Sequence, residues 1–152
     1  MRDTIARLMV TAWRVPVPAR WLAVLAWAGL IFLLSAQQGL RVSQDPGVDR
    51  PIRELAHGCT YAVLTILLGW ALSGRRAPSV RVMVVAATLA FLYGISDEWH
   101  QTFVPTRTGR PQDLIWDGIG ILIGVGVLLV AARVTIIDRG QGPPMGDSQA
   151  PE

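Results

Sequence analysis

The sequence predicts an all-α integral membrane protein, a bundle of four transmembrane helices with both chain termini in the cytoplasm. Three observations predict this. The composition is 51% hydrophobic and only 16% charged, with a mean hydropathy of +0.40, which is high for a soluble domain. Four apolar stretches each approach the ~20 residues that a helix needs to cross a bilayer. The basic residues flank these stretches unevenly, as residues that set membrane topology do.

The four predicted helices cover about residues 19–38, 56–72, 80–96 and 114–137. A helix rises ~1.5 Å per residue and the hydrocarbon core is ~30 Å thick, so the shorter helices bring polar residues to the membrane boundary. The polar ends are Ser35 to Gln38 on the first helix and Ser96 to Glu98 on the third. We expect residues 1–137 to form a single domain. Residues 138–152, rich in Gly and Pro, are expected to form a disordered cytoplasmic tail.

The distribution of arginine predicts the orientation. Nine arginines lie in the N-terminal segment, in the connection between the second and third helices, and at the C-terminal end. Five lie in the other two connections, which also carry six acidic residues. Because arginine-rich segments stay in the cytoplasm, both termini are predicted there, in a multi-pass protein of the cytoplasmic (inner) membrane. An alternative takes residues 1–36 as a signal peptide cleaved after Ser35-Ala36, although its polar start of twenty residues is long.

Several classes of chemistry are excluded by composition. All 14 basic residues are arginines, so Schiff-base and Walker-type lysine chemistry are excluded. Cys59 is the single cysteine, which excludes an internal disulfide and a four-thiolate zinc site. The arginines are spread through loops, so no nucleic-acid partner is predicted. Asp97, Glu98, Asp113 and Asp117 offer clustered oxygen ligands that suit Mg²⁺ or Ca²⁺. Two arginines in the same loop argue against such a site, so neither a metal nor another cofactor is expected.

Charged residues concentrate in "YGISDEWHQTFVPTRTGRPQDLIWDGIG", residues 93–120, which joins the third and fourth helices. Asp97 and Glu98 precede Gln101 by four and three residues, so the three side chains share one helix face if the helix continues past Ser96. Pro105 ends such a helix, and the stretch "TGRP" is typical of a tight connection. Polar side chains are therefore expected at the boundary of the membrane.

The fourth and second helices each carry a matching polar stripe. Asp113, Asp117, Gly120 and Gly124 follow steps of four, three and four residues, and the two glycines allow close approach of another helix. On the second helix the stripe consists of Glu54, His57, Tyr61 and Thr65. Ionisable groups in membrane helices usually face the bundle and pair with each other. We predict one outward-facing pocket, in which Arg107 and Arg110 pair with the acids.

Two motifs resemble those of the VanZ-like membrane proteins. They are "SAQQGLRVSQDPGVDRPIRELAHGCTY" and "YGISDEWHQTFVPTRTGRPQDLIWDGIGILIG", and the resemblance covers about residues 30–126. The family is named for an accessory factor of glycopeptide (teicoplanin-type) resistance, and the resemblance implies a multi-helix protein of the cell envelope. Matching positions are His57, Tyr61, Glu98, Gln101, Arg107, Asp113, Gly120 and Gly124. Two positions depart from the pattern: many relatives have asparagine in place of Asp117, and Arg50 or Arg53 stands where a lysine is frequent before the histidine.

The expected function is recognition of an envelope component, such as a membrane lipid, a lipid-linked cell-wall precursor or an amphiphilic antibiotic, with a contribution to glycopeptide resistance that only the resemblance suggests. The predicted ligand-binding residues are His57, Tyr61, Asp97, Glu98, Gln101, Arg107, Arg110, Asp113 and Asp117. The arginine forks match phosphate or carboxylate groups. Three alternatives stay open: a buried ion-pair network that fixes helix register, a membrane enzyme with Glu98 or His57 as general base, and a non-catalytic assembly factor. Enzymatic activity is not favoured.

Overall fold

The computed structural model describes residues 11–12, 14–38, 43–74, 76–105, 110 and 112–140, with side chains as far as Thr135. Within these residues the chain forms four long helices and no strand. They are α1 (Val17–Ser35), α2 (Pro46–Leu72), α3 (Val80–Gln101) and α4 (Asp113–Gly140). Each is long and apolar enough to cross a membrane, α4 over Asp113–Thr135. The all-α fold with four membrane-spanning helices is thereby confirmed.

Two helices extend beyond the apolar stretches that predicted them. α2 begins at Pro46 rather than near residue 56, because Asp45 caps it by accepting a 2.8 Å hydrogen bond from Gly47 N, and proline suits the first helical position. α3 continues to Gln101, five residues past the predicted end. Hydropathy identifies only the apolar part of a helix, so the polar ends of these two helices were not predicted. At ~1.5 Å per residue α2 is ~40 Å long, so one end projects past a ~30 Å core.

Polar contacts establish how the helices run relative to one another. Arg20 near the start of α1 meets Gly74 just after α2, so these two helices are antiparallel. Ser35 at the end of α1 meets Asp97 near the end of α3. His57 in α2 meets Asp117 in α4, each in the first half of its helix. The bundle therefore has two different ends: the cluster end, at Ser35 and Asp97, and the Arg20 end.

α2 is the central helix, since it packs against each of the other three and most extensively against α4. Its residues Tyr61, Leu64 and Leu68 are buried in one hydrophobic core with residues of α1, α3 and α4. α1 is also attached by aromatic side chains: Trp27 Nε1 donates to Thr60 O at 3.1 Å, and Tyr93 OH donates to Ala28 O at 2.6 Å. The indole and the phenol thus satisfy their polar atoms while their rings fill the bundle.

Large apolar side chains cover the outside of the bundle. Leu22 is 66% exposed, and Val80 and Leu122 are each 72% exposed. Soluble monomers rarely present contiguous apolar surface on this scale, whereas a bilayer removes it from water. The exposed faces of the four helices therefore contact lipid, and charge is concentrated inside the bundle and at its ends.

At the Arg20 end a buried arginine closes the C-terminus of α2. The Arg20 side chain is fully buried; its Nε donates to Val15 O at 3.0 Å, and its Nη1 donates to Trp70 O at 3.1 Å and to Gly74 O. Gly74 has a φ of 58°, the left-handed conformation that commonly ends a helix. The last carbonyls of a helix lack partners within the helix, so the guanidinium supplies donors that the bilayer cannot. Trp70 lies beneath it, with the guanidinium carbon 5.3 Å from the ring centroid.

Candidate functional site

Polar side chains from all four helices meet at the cluster end, and we call them the polar cluster. Most of these polar residues are buried, and they lie in or beside helices of high hydropathy. The members are Ser35 of α1, Arg53, His57 and Tyr61 of α2, Asp97, Glu98 and Gln101 of α3, and Asp113 and Asp117 of α4. The structure therefore brings together seven of the nine residues that the sequence predicts for the pocket.

Asp97 connects α1 to α3 at the centre of the polar cluster. It is 5% exposed, and its Oδ2 accepts hydrogen bonds from Ser35 Oγ at 2.8 Å and from Gln101 Nε2 at 3.0 Å. The bond from Gln101 spans one helical turn, as the spacing of these two residues predicts. The second oxygen, Oδ1, is buried and has no hydrogen-bond partner among the described residues. This carboxylate therefore has an acceptor to offer.

Glu98 connects α3 to the start of α4. Its Oε2 accepts a 2.7 Å hydrogen bond from the backbone N–H of Arg110, and the Arg110 carbonyl in turn accepts a 2.8 Å bond from Asp113 N. Gln101 Nε2 lies 3.5 Å from the other oxygen, Oε1. Arg110 thus reaches the polar cluster through its backbone, while the residue itself is exposed. We expected its guanidinium to fill this place.

His57 and Asp117 form the polar contact between α2 and α4. His57 Nδ1 lies 2.9 Å from Asp117 Oδ1, and the side chains are only 12% and 1% exposed. Asp117 Oδ2 is buried without a hydrogen-bond partner within the described part of the chain. A carboxylate in this setting is costly to hold in a membrane unless its charge is compensated. One imidazole contact on one of its two oxygens leaves that compensation incomplete.

Tyr61 lies one turn deeper in α2 and faces the same place. The residue is 1% exposed, and its hydroxyl has no partner among the described atoms. Gly94 of α3 makes room for it: a Cβ built on Gly94 would lie 3.3 Å from Tyr61 Cε1 and 3.4 Å from Asp117 Oδ2. A side chain at position 94 would therefore press on both groups.

Two glycines hold α4 against α2 below the His57–Asp117 contact. A Cβ on Gly120 would overlap the carbonyl of Gly58, and a Cβ on Gly124 would lie 2.8 Å from Ala62 O. The predicted close approach along this face is confirmed, since only glycine leaves the backbones this near. The spacing of Asp117 and Gly120 on one face of α4 then fixes the aspartate opposite His57.

Arg53 is a member of the polar cluster that the sequence analysis missed. Its Nη2 lies 3.7 Å from Asp113 Oδ2, and its Nε is buried without a partner in the described residues. Arg53, His57 and Tyr61 are spaced by four residues, which is the signal that could have found it. The predicted stripe begins at Glu54 instead, but Glu54 pairs with Arg50 at 2.8 Å, and the Arg50 side chain is exposed.

Arg107, the arginine on which the predicted pocket depended most, lies outside the described residues. Its pairing with the acids therefore stays a prediction. Within the described part of the chain, the guanidinium that reaches an acid of the polar cluster is that of Arg53 from α2.

A cavity of about 160 Å³ opens between α1 and α2 beside the polar cluster, and we call it the α1–α2 cavity. One part of its wall is polar, formed by Ser35, Asp49, Arg53, His57, Thr60, Tyr61 and Asp97. The other part is largely apolar, with Ile31 and Leu34 from α1 and Ile52 and Ala56 from α2. The cavity thus presents hydrogen-bonding groups and hydrocarbon side by side.

Comparison with known families decides what kind of protein this is. The model of the family described as VanZ/LLP1 matches residues 20–132, which include all four helices of the bundle apart from their ends. The chain belongs to the VanZ/LLP1 family. No curated protein and no solved structure matches the chain significantly.

In this VanZ-family membrane protein the acids of the polar cluster outnumber its cations. Asp97, Glu98, Asp113 and Asp117 contribute four carboxylates, whereas Arg53 and His57 contribute one guanidinium and one imidazole among the described residues. Buried charges in a membrane normally pair or bind an ion. The arrangement can therefore accept donors or a cation more readily than it can accept a bare anion.

Proposed function

We propose that this VanZ-family protein binds the head group of an amphiphilic, lipid-linked envelope component in the α1–α2 cavity. In this proposal the cluster end faces away from the cytoplasm, and the protein lies in the cytoplasmic membrane with both termini inside. By this binding it contributes to glycopeptide (teicoplanin-type) resistance. The association with resistance rests on family resemblance, and the binding rests on the geometry of the cavity.

One observation carries the binding proposal. Three of the residues that line the α1–α2 cavity have a buried polar atom without a hydrogen-bond partner in the described structure: Arg53 Nε, Tyr61 OH and Asp97 Oδ1. A buried polar atom with no partner costs about 1–3 kcal/mol, so three of them around one cavity favour a ligand that supplies the missing bonds. The set combines a donor, a hydroxyl and an acceptor, which suits the hydroxyl and amide groups of a sugar or peptide head group.

The apolar part of the wall favours an amphiphile over a free sugar or peptide. Ile31 and Leu34 of α1 face Ile52 and Ala56 of α2 across the cavity, at the end of the bundle where lipid head groups would lie. A cavity of about 160 Å³ holds a few heavy atoms rather than a whole lipid, because one water molecule occupies about 30 Å³ in the liquid. The rest of the ligand would therefore lie along the helices, in the bilayer.

The orientation is supported by the arginine bias of the sequence. Nine arginines flank the Arg20 end and the termini, against five at the cluster end. In this proposal the guanidinium groups of Arg107 and Arg110, in the connection between α3 and α4, contact a phosphate or carboxylate of the bound molecule. The orientation of the bundle and the role of these two arginines are both part of the proposal.

Arg53 and Arg50 provide a matched pair of variants for the test. They lie three residues apart on α2, but Arg53 lines the cavity while Arg50 has a side chain that is 67% exposed. We would purify each variant from membranes and measure co-purifying envelope lipids by mass spectrometry. Arg53→Ala should lower retention about tenfold or more, the effect of losing a hydrogen bond from a charged donor, and Arg50→Ala should retain as much as the unaltered protein.

The same experiment separates the remaining candidates. Equal retention by Arg53→Ala and Arg50→Ala would overturn binding in the cavity. If the retained molecule returns chemically changed after incubation, the protein is an enzyme with Glu98 or His57 as its candidate base. Co-purification of a stoichiometric protein in place of a lipid would favour the assembly factor. Preferential retention of an added teicoplanin-type glycopeptide would identify the drug as the ligand.

A further inference from the structure

The polar cluster contains a second arrangement that lipid binding does not require. His57 of α2, Glu98 of α3 and Asp117 of α4 each offer one ligand atom, an imidazole nitrogen or a carboxylate oxygen, and these atoms all lie within 4.8 Å of one another. Three helices contribute one residue each. The packing of the helices, and not a loop, therefore determines the positions of the three side chains. Imidazole and carboxylate are the ligands that zinc accepts in proteins besides thiolate.

Asp117 gives an independent indication that something is missing at this place. The residue is 1% exposed, and its Oδ2 is buried with no hydrogen-bond partner in the described part of the chain. Gly94 and the Tyr61 ring border this oxygen, and a Cβ on Gly94 would come within 3.4 Å of it. The oxygen therefore lies against a position that glycine keeps clear. A cation coordinated by both carboxylate oxygens of Asp117 would satisfy Oδ2, which has no donor in the described part of the chain.

The charges around the three residues favour a cation over an anion. Asp97 and Asp113 add two further carboxylates, against Arg53 as the guanidinium of the described cluster. Glu98 is oriented by the Arg110 backbone N–H at 2.7 Å, and each carboxylate oxygen keeps a further lone pair after one such bond. Hydrogen bonds of this kind commonly fix the position of metal-binding carboxylates.

We propose that His57, Glu98 and Asp117 form a binding site for one divalent transition-metal ion, Zn²⁺ by the chemistry of the set. Zinc bonds to imidazole and carboxylate are ~2.0–2.2 Å long, so ligand atoms around it lie roughly 3.3 Å apart in a tetrahedron. His57 Nδ1 and Asp117 Oδ1 are 2.9 Å apart, and one ligand atom of each of the three residues lies within 4.8 Å of the other two. One nitrogen ligand favours zinc over Mg²⁺ or Ca²⁺, which prefer oxygen alone.

This site differs from the cation site that the sequence analysis argued against. That site comprised Asp97, Glu98, Asp113 and Asp117, without a nitrogen ligand. In the structure Asp97 is bonded to Ser35 and Gln101, and Asp113 lies beside Arg53, whereas His57 lies beside Asp117. The histidine of α2 thus joins the two acids that remain.

Zinc content of the purified full-length protein tests the site. The protein would be incubated with Zn²⁺ in detergent, passed through a desalting column, and analysed by inductively coupled plasma mass spectrometry. We expect about one zinc per chain, and a loss of tenfold or more in affinity for Asp117→Asn and for Glu98→Gln. Glu54→Gln is the matched carboxylate control, since Glu54 pairs with Arg50 outside the polar cluster, and it should bind as the unaltered protein does.

Two further measurements keep the result interpretable if a variant is unstable. Melting temperature with Zn²⁺ and with chelator should differ for the unaltered protein and for Glu54→Gln, and should coincide for Asp117→Asn. Co²⁺ in place of Zn²⁺ should give visible absorption bands that Glu98→Gln shifts or removes. Absence of zinc from the unaltered protein overturns the proposal. Equal zinc in Asp117→Asn also overturns it and means an adventitious ion only. Lipid retention by Arg53→Ala is measured separately, so either proposal can fail without the other.

Discussion

The two ends of the bundle both bury charged residues, but they treat them differently. At the Arg20 end, a single fully buried guanidinium donates to the carbonyls of Val15, Trp70 and Gly74. In the polar cluster at the other end, four acids share one guanidinium and one imidazole. Tyr61, Asp97 and Asp117 each have a buried polar atom without a partner among the described residues.

This difference separates a structural charge from a candidate site. A buried charge whose hydrogen bonds are made stabilises the fold, because it completes the ends of helices that the bilayer cannot hydrate. A buried polar atom that lacks its bond costs stability, and a natural protein keeps such an atom where it serves another purpose. The Arg20 end therefore holds the bundle together, while the cluster end is where we place binding.

The largest expected effect is at the Arg20 end. Arg20→Leu should lower the stability of the purified protein by about 3 kcal/mol, because it leaves the carbonyls of Trp70 and Gly74 buried without donors. Thermal unfolding in detergent measures this. Arg14→Leu is the control, since Arg14 precedes α1 and is exposed. If the two variants melt together, the guanidinium is not the structural element that we describe.

The next largest loss of stability is expected at the contact between α2 and α4, which lies between the two ends of the bundle. Gly120→Ala should cost about 1–3 kcal/mol, since its methyl group would overlap the Gly58 carbonyl and force the helices apart. Gly118→Ala, two residues earlier, meets nothing within 4 Å and should melt as the unaltered protein or slightly higher. Melting curves of the two variants compare them directly, and an unchanged Gly120→Ala would contradict the close packing.

At the cluster end, substitution of a buried polar residue should raise the stability of the protein instead of lowering it. Tyr61→Phe removes a buried hydroxyl that has no partner in the described structure, so the ligand-free protein should become more stable by about 1 kcal/mol. A lower melting temperature for this variant, measured after exhaustive delipidation, would mean that the hydroxyl is bonded in the folded protein. The polar cluster would then be structural, like Arg20.

The smallest effect is expected from the ion pair of Arg50 and Glu54, in which the Arg50 side chain is 67% exposed. Exposed pairs are screened by solvent, so Arg50→Ala should change neither the melting temperature nor the retention of lipid. A clear loss of retention would place the ligand on the outer surface of α2 instead of in the α1–α2 cavity.

The sequence predicted the fold better than it predicted the site, for physical reasons. Apolar stretches of bilayer length determine the four helices, and the small residues Gly120 and Gly124 indicate where two of them meet. Helical spacing also placed Asp97, Glu98 and Gln101 on one face. These signals are local, since each depends on residues within one helix.

The sequence could not assign partners between helices. Arg53 and Glu54 are adjacent, and only the rotation of α2 against α4 decides that Arg53 faces Asp113 while Glu54 pairs with Arg50. Likewise Arg110 contributes its backbone N–H to Glu98, which no side-chain pattern predicts. The polar start of α2 was missed because hydropathy does not detect helix outside hydrocarbon. Its cap, Asp45 before Pro46, was a sequence signal for that start.

The most direct test of the account measures lipid retention per folded molecule in Arg20→Lys and Tyr61→Phe side by side. We predict opposite behaviour: Arg20→Lys melts at a lower temperature but keeps its lipid, whereas Tyr61→Phe keeps or gains thermal stability and loses lipid. If Tyr61→Phe instead unfolds early and retains a full complement of lipid, the contrast between the two ends is wrong.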